Sequence, residues 1–193
     1  MCRVVPGRVT PRRGPLRQVI FILGTLADGD IDWIASAGRK REFADGEVLI
    51  RCGTPTDAIY IVLEGELTVS DAESGKVFSR LKSGEVIGEI SLLDSRPPTA
   101  DVTATGAATV LELDRATLDH KLVEDTSFAS RFYHALGILL AHRLRKLTRK
   151  INFGAIDLSA IQDEPEETDF QLLESAALAG KRFDWILQTL LKR

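Results

Sequence analysis

The sequence predicts an α+β fold, an antiparallel β-roll over residues 41 to 114 with flanking helices and one long helix after it. Two observations carry the roll. Short apolar stretches are punctuated by glycines at 46, 53, 65, 75, 84, 88 and 106, the spacing of tight turns between strands. Within them Val48-Ile50, Ile59-Ile61-Leu63 and Leu67-Val69 alternate with period two, as half-buried strands do between core and solvent. A third observation carries the long helix: beyond Asp114 the apolar residues recur at steps of three and four.

In chain order, residues 1–18 carry Arg3, Arg8, Arg12, Arg13 and Arg17 with three prolines and no acid. They read as a basic disordered arm. Val19 to Leu23 is too short to be the core of a signal peptide. Asp28 to Gly38 opens with capping residues and stops at a glycine, predicting a short helix that turns Ile31 and Ile34 inward. Strands are expected over Glu47 to Arg51, Ala58 to Leu63, Glu66 to Ser70, Val77 to Leu81 and Thr109 to Leu113. Asp114 caps a short helix over Arg115 to Val123, and Thr126 or Ser127 begins a longer one running to about Lys150.

That helix bears Phe128, Phe132, Leu136, Leu139, Leu140, Leu144 and Leu147 as a stripe, with Arg131, His142, Arg145, Lys146 and Arg149 mostly elsewhere. At 1.5 Å per residue, about 24 residues reach near 36 Å, more than a small roll needs for a lid. The excess stripe predicts a homodimer through the long helix. Residues 151–193 read as an acidic linker, rich in carboxylates from Asp163 to Asp169, and an amphipathic tail helix. The tail stripe of Leu173, Ala176, Ala177, Gly180, Phe183, Ile186, Leu187 and Leu190 needs something to pack against, so the tail helix is expected to dock on another protein. The domain organisation is thus an arm over 1–18, a roll with its long helix over 19–150 and a tail over 151–193.

Composition narrows the function. At 193 residues the chain can bury one substantial core. No apolar run approaches the ~20 residues of a membrane span, which predicts a cytoplasmic protein without a membrane partner. A net charge of −3 gives no electrostatic reason to expect nucleic acid. Cys2 and Cys52 suit neither a disulfide framework nor a metal knuckle, and His120, His134 and His142 lack acidic or thiol companions at ligand spacing. With no nucleophile beside a base and no acid pair, an enzyme is not expected, and no cofactor is.

The informative stretch runs from Leu81 to Val102. A glycine ends a strand, a carboxylate and a short apolar helical turn follow, and a proline-rich loop leads back into a strand. The pattern suits an anion cradle: Gly88 lets the backbone approach closely, amides around Gly88, Glu89, Ile90, Ser91 and Leu92 at the start of the short helix point at an anion, Val86 and Ile87 join them as candidate ligand-binding residues, and a carboxylate accepts from a sugar hydroxyl.

Gly46-Glu47-Val48-Leu49-Ile50, Tyr60-Ile61-Val62-Leu63-Glu64-Gly65 and Leu81 to Glu85 with Gly88-Glu89-Ile90-Ser91-Leu92-Leu93 closely resemble the cyclic-nucleotide-binding domain family. That family includes catabolite-activator-like regulators, kinase regulatory subunits and gated channels. The resemblance covers about residues 19 to 150 and implies a jelly-roll-like β-roll with cAMP or cGMP as candidate ligand. It makes Glu89 the ribose-contacting carboxylate and Gly88 the close-approach glycine. Family members that bind cyclic nucleotides continue with Pro-Arg-Ala-Ala-Thr, where this chain has Pro97-Pro98-Thr99-Ala100-Asp101. Pro98 therefore replaces the phosphate-gripping arginine, and Arg96, two residues earlier, is the candidate substitute. A lost charge-assisted contact is worth ~1.5–3 kcal/mol, or about one to two decades of affinity. Asp101 adds repulsion if its carboxylate faces the pocket.

The expected function is a regulatory sensor with weakened or altered ligand specificity, signalling through its long helix and tail to a partner. Two alternatives stand beside it: a Crp/Fnr-like transcriptional regulator, and a non-sensing interaction subunit of a larger complex. Residues 151–193 hold four basic against eight acidic side chains, and one convincing helix, against the two that a helix-turn-helix needs.

Overall fold

The computed structural model of the protein describes residues 19–152 and 170–191. The expected basic arm and nearly all of the acidic linker lie outside the described residues. In order the elements are α1 (Val19–Thr25), α2 (Asp28–Ala37), β1 (Arg39–Phe43), β2 (Val48–Ile50), β3 (Ala58–Ser70), β4 (Val77–Lys82), β5 (Val86–Ile87), α3 (Glu89–Asp94), β6 (Asp101–Asp114), α4 (Arg115–Glu124), α5 (Thr126–Asn152) and α6 (Phe170–Leu191). Every strand pairing is antiparallel. The sheet runs β1-β6-β3-β4, with β2 on β6 and β5 on β3. The expected α+β roll is what forms.

Its strands are longer than the glycine punctuation suggests. Ala58–Leu63 and Glu66–Ser70 are one strand, β3, and Thr109–Leu113 is the end of a 14-residue strand, β6. All seven punctuating glycines do adopt positive φ. Gly65 and Gly106, however, sit within strands rather than at turns between them. The β3–β6 register slips between Val62 and Glu64 and again between Glu64 and Glu66, across Gly65, where a Cβ would lie 2.4 Å from the Ala107 carbonyl oxygen. Two long strands cross there too closely for any side chain, and the irregularity bends them into a roll.

Over residues 59–63 the period-two pattern has a different cause from the expected one. Along β3, Ile59, Ile61 and Leu63 face the helices, while Tyr60 and Val62 face the roll interior, and all five are buried. There the alternation divides two cores, whereas Leu67 and Val69 face the roll core and Thr68 the outer side, as expected. Inside the roll, Phe43, Ile50, Leu67, Leu81, Val102 and Val110 complete one core. Against the outer face, α1, α2, α4, α5 and α6 supply the other.

α2 buries Ile31 and Ile34 as expected. Gly38, which ends it, has an extended backbone rather than a left-handed one. It is glycine because a Cβ would lie 2.5 Å from Leu111 Cδ1. Asp114 caps α4 by accepting from the Thr117 amide at 2.9 Å, and Asp125 accepts from the Phe128 amide at 2.9 Å at the start of α5. Phe128, Phe132, Leu136 and Leu139 of the α5 stripe are buried on the chain's own core, whereas Leu144 and Leu147 are 65% and 56% exposed.

α6 finds its packing surface within the chain. Ala179, Phe183, Ile186 and Leu190 are buried in the helix-side core, and α6 lies mainly along α1. Ala177, from the expected stripe, is exposed. Arg182 clasps the end of α1, donating from Nη1 to the Leu26 carbonyl at 2.8 Å and also to the Leu23 carbonyl, and meets Asp28 at 2.6 Å. A cation there satisfies the orphan carbonyls of a helix end. Phe183, Ile186 and Leu190 of the face predicted to meet another protein thus pack within the chain, on the helix-side core. Among the described residues no helix is long and apolar enough to cross a membrane.

Candidate functional site

The stretch between β5 and β6 forms one compact feature on the roll. β5 is two residues long, pairing Ile87 with Tyr60 and Val86 with Ile61. Its side chains split between the two cores, Val86 toward the helices and Ile87 into the roll. Gly88 follows with φ +91, and a Cβ on it would lie 2.7 Å from the Ala58 carbonyl oxygen. Only glycine serves both the left-handed turn and that approach.

α3 then runs six residues, Glu89–Asp94. Glu89 and Ser91 are buried, Leu92 packs against the helix-side core, and Ile90 is 59% exposed. Ser95 closes the helix with φ 57, a left-handed conformation that is uncommon outside glycine. Two interactions hold it: its amide donates to the Ser91 carbonyl at 3.0 Å, and its Oγ accepts from Arg115 Nη2 at 2.9 Å. Arg115 Nη1 also reaches the Ser91 carbonyl at 3.1 Å. An arginine at the head of α4 therefore braces the far end of α3.

The near end of α3 is braced from α5. Arg143 donates to the Glu89 carboxylate and to the Val86 carbonyl. Glu89 is 2% exposed, and a buried carboxylate requires such a partner. Arg143 was not among the expected site residues. The signal for it was present: position 143 falls four after Leu139 and seven after Leu136, on the helix face that turns inward.

The proline-rich loop after α3 is tied to the loop after β2. Gly53 N–H donates to the Pro98 carbonyl at 2.8 Å, and Cys52 N–H donates to Asp101 Oδ1 at 2.7 Å. The Asp101 carboxylate is thus engaged by a backbone amide. Thr99 is exposed, Ala100 half-buried, and Arg96 exposed, with its own amide on Asp94 Oδ1 at 3.0 Å. Of the expected residues, Val86 to Leu92 gather at the β5–α3 turn, while Arg96 to Ala100 form the outer loop. The guanidinium seated at Glu89 comes from α5.

An antiparallel roll with a left-handed glycine, a six-residue helix bearing a buried carboxylate and a clasping long helix defines a catabolite-activator-like β-roll protein. Residues 40–125 match the model of the cyclic nucleotide-binding domain. That match spans the roll and α4, under half of the chain. It is similar to the cAMP-dependent protein kinase regulatory subunit of Dictyostelium discoideum, 40% identical over 88 residues, 42% of this chain and 27% of that protein. Among solved structures it is similar to a cyclic nucleotide-binding domain from Methylobacillus flagellatus KT, with TM-score 0.63 and 20% identity, covering 72% of this chain and 84% of that one. It is also similar to the Thermus thermophilus catabolite activator protein, with TM-score 0.59 and 22% identity, covering 89% and 87%. The chain spans under a third of the length of the curated relatives it matches.

Proposed function

We propose that this chain is a regulatory sensor, not an enzyme, whose β5–α3 turn takes a cyclic nucleotide and whose long helix reports occupancy to a protein partner. The observation that carries this reading is the clasp of Glu89 by Arg143. If Glu89 receives a ribose hydroxyl, as the family resemblance implies, the ligand and Arg143 compete for one buried carboxylate. A ligand favours the state with which it makes better contacts, so occupancy biases the position of α5. The family match and the similarity to a kinase regulatory subunit support both the ligand class and the regulatory role.

The output surface is the outer face of α5. Tyr133, Gly137, Leu140, Leu144 and Leu147 recur at steps of four and three, and Tyr133, Leu144 and Leu147 are exposed. That spacing suits a two-helix seam, so α5 pairs with α5 of a second copy. With Pro98 in place of the phosphate arginine, affinity falls about one to two decades below that of a site that keeps it.

Calorimetric titration of the full chain with cAMP and with cGMP tests the reading. Saturable heat at micromolar to millimolar ligand, lost in Glu89→Gln, is the expected result. Absence of heat with both would remove these ligands and leave the roll as a docking subunit.

A further inference from the structure

Helix α3 is too short to hold itself. Its six residues, Glu89–Asp94, fall well below the roughly 12–15 at which an isolated helix becomes marginal in water. Ile90 and Leu93 are exposed, so packing secures only one side of it. Its last carbonyls have no helical partner, and the chain leaves it through Ser95, the one residue other than glycine with positive φ among the described residues. A side chain in that region is strained.

Both deficits meet one side chain. Arg115, the first residue of α4, donates from Nη1 to the Ser91 carbonyl at 3.1 Å and from Nη2 to Ser95 Oγ at 2.9 Å, with the Leu92 carbonyl 3.5 Å from Nη2. The Ser91 carbonyl also accepts the Ser95 amide, so the guanidinium pins the residue that turns the chain and the carbonyl on which it turns. Arg115 is itself held by the roll: its amide donates to the Asp57 carbonyl at 2.8 Å. The next carbonyl, that of Ala58, is the one Gly88 approaches at the other end of α3. Adjacent residues of the roll thus fix the start of α3 and the arginine that closes it.

We infer that Arg115 is the positioning residue of the β5–α3 site: by holding the last turn of α3 it keeps that helix wound, and through it keeps the Glu89 carboxylate where Arg143 and a ligand hydroxyl reach it. The inference rests on the reading of Glu89 as the carboxylate that meets the ligand. Apparent affinity then scales with the fraction of molecules in which α3 is wound. The two arginines act with opposite sign, because Arg143 competes for the carboxylate whereas Arg115 only places it.

Calorimetric titration with cAMP and amide hydrogen exchange of residues 92–95 in the unliganded full chain test this in the wild type, R115A, D119A and R115A/S95G. R115A should bind roughly three- to tenfold more weakly and exchange those amides faster by a similar factor, as expected when two or three partly exposed hydrogen bonds from a charged donor are lost. Glycine at position 95 needs no arginine to hold its φ, so the double variant should recover most of both losses. Asp119 Oδ2 lies 3.6 Å from Arg115 Nε within α4, and D119A, which leaves the bonds to α3 in place, should behave as the wild type. R115K keeps the charge without the fork and should fall between; it carries the comparison if R115A does not fold. No cAMP heat in the wild type would remove the role at Glu89 together with the nucleotide reading, while the exchange comparison would still decide whether Arg115 holds α3. Equal affinity in the wild type and R115A, a loss that S95G does not recover, or an equal loss in D119A, which would make Arg115 only a part of α4, would each overturn the inference.

Discussion

Glu89 and Arg143 lie 54 positions apart in sequence and meet as an ion pair that joins the short helix α3 to the long helix α5. The carboxylate is buried and the guanidinium about a quarter exposed, so the pair has a rigid side and a movable one. A ligand hydroxyl on Glu89 must displace Arg143 or share its oxygens. Arg143→Ala removes the competitor and leaves a carboxylate short of donors. Cyclic-nucleotide affinity should rise roughly tenfold by titration, within the ordinary range of coupling energies, while the unliganded protein melts earlier. Unchanged or weaker binding would sink the competition.

Asp30 and Arg131 form a second, bidentate tie between α2 and α5, at 2.7 and 2.9 Å, and Asp30 also accepts the Ala27 amide at 2.8 Å. Burial pushes the Asp30 carboxyl up, but the Arg131 hydrogen bond, the Ala27 amide and the guanidinium charge together outweigh it, so it titrates below its ordinary value of 3.8. A group whose folded value is depressed stabilises above its unfolded value, and that stability is lost as pH falls through the folded one. Thermal melts from pH 6 to pH 3 should show wild-type stability falling below about pH 4. Asp30→Asn should be less stable by about 2 kcal/mol at pH 6, with some of the acid sensitivity removed. Parallel curves for the two proteins would contradict this.

How much of this was legible in the sequence depended on whether a local rule or a long-range contact decided the feature. The cap at Asp114 and the start of α5 at Thr126 followed from residue type and spacing, because a cap acts within three residues, although the residue that caps α5 is Asp125. The glycine punctuation located every left-handed residue among the seven, since only backbone sterics are involved. What Gly65 does was not legible: the same φ serves a turn or a bulge, and the choice lies in Ala107, on another strand. Period two along β3 showed two faces without showing that helices cover one of them. Arg131 reads from the sequence as lying off the apolar stripe and Arg143 is not singled out, because nothing local names an acid for either. Their partners lie 101 and 54 positions away. The helical segment α1 is too short for its pattern to identify it, and its place is fixed by packing on α5 and α6.

Glycine substitutions separate strain from collision. Gly46 and Gly65 share a positive φ, at +77 and +84. Around Gly46 a Cβ meets nothing within 4 Å, whereas at Gly65 it lies 2.4 Å from the Ala107 carbonyl oxygen and 2.7 Å from Ala108 Cα. Gly46→Ala should therefore cost about 1 kcal/mol of conformational strain in denaturant unfolding. Gly65→Ala must also push a pair of central strands apart and should cost at least ~3 kcal/mol or fail to fold. Equal costs would refute the close crossing.

Leu144 and Leu147 test the seam on α5, because they are exposed in the single chain. On a monomer, replacing an exposed leucine by glutamate changes stability by less than about 0.5 kcal/mol. In a paired seam the same change buries a carboxylate against its symmetry mate, so it acts twice per dimer. Sedimentation of Leu144→Glu should therefore give a monomer at concentrations where the wild type is a dimer, with the melting of the roll nearly unchanged. Inner stripe positions supply the contrast: Leu139 is fully buried, and Leu139→Ala should lower the melting temperature by an amount matching about 2–5 kcal/mol without shifting the sedimentation of whatever remains folded. A wild type that sediments as a monomer throughout, or a Leu144→Glu variant that still dimerises, would place the output surface elsewhere than on this face of α5.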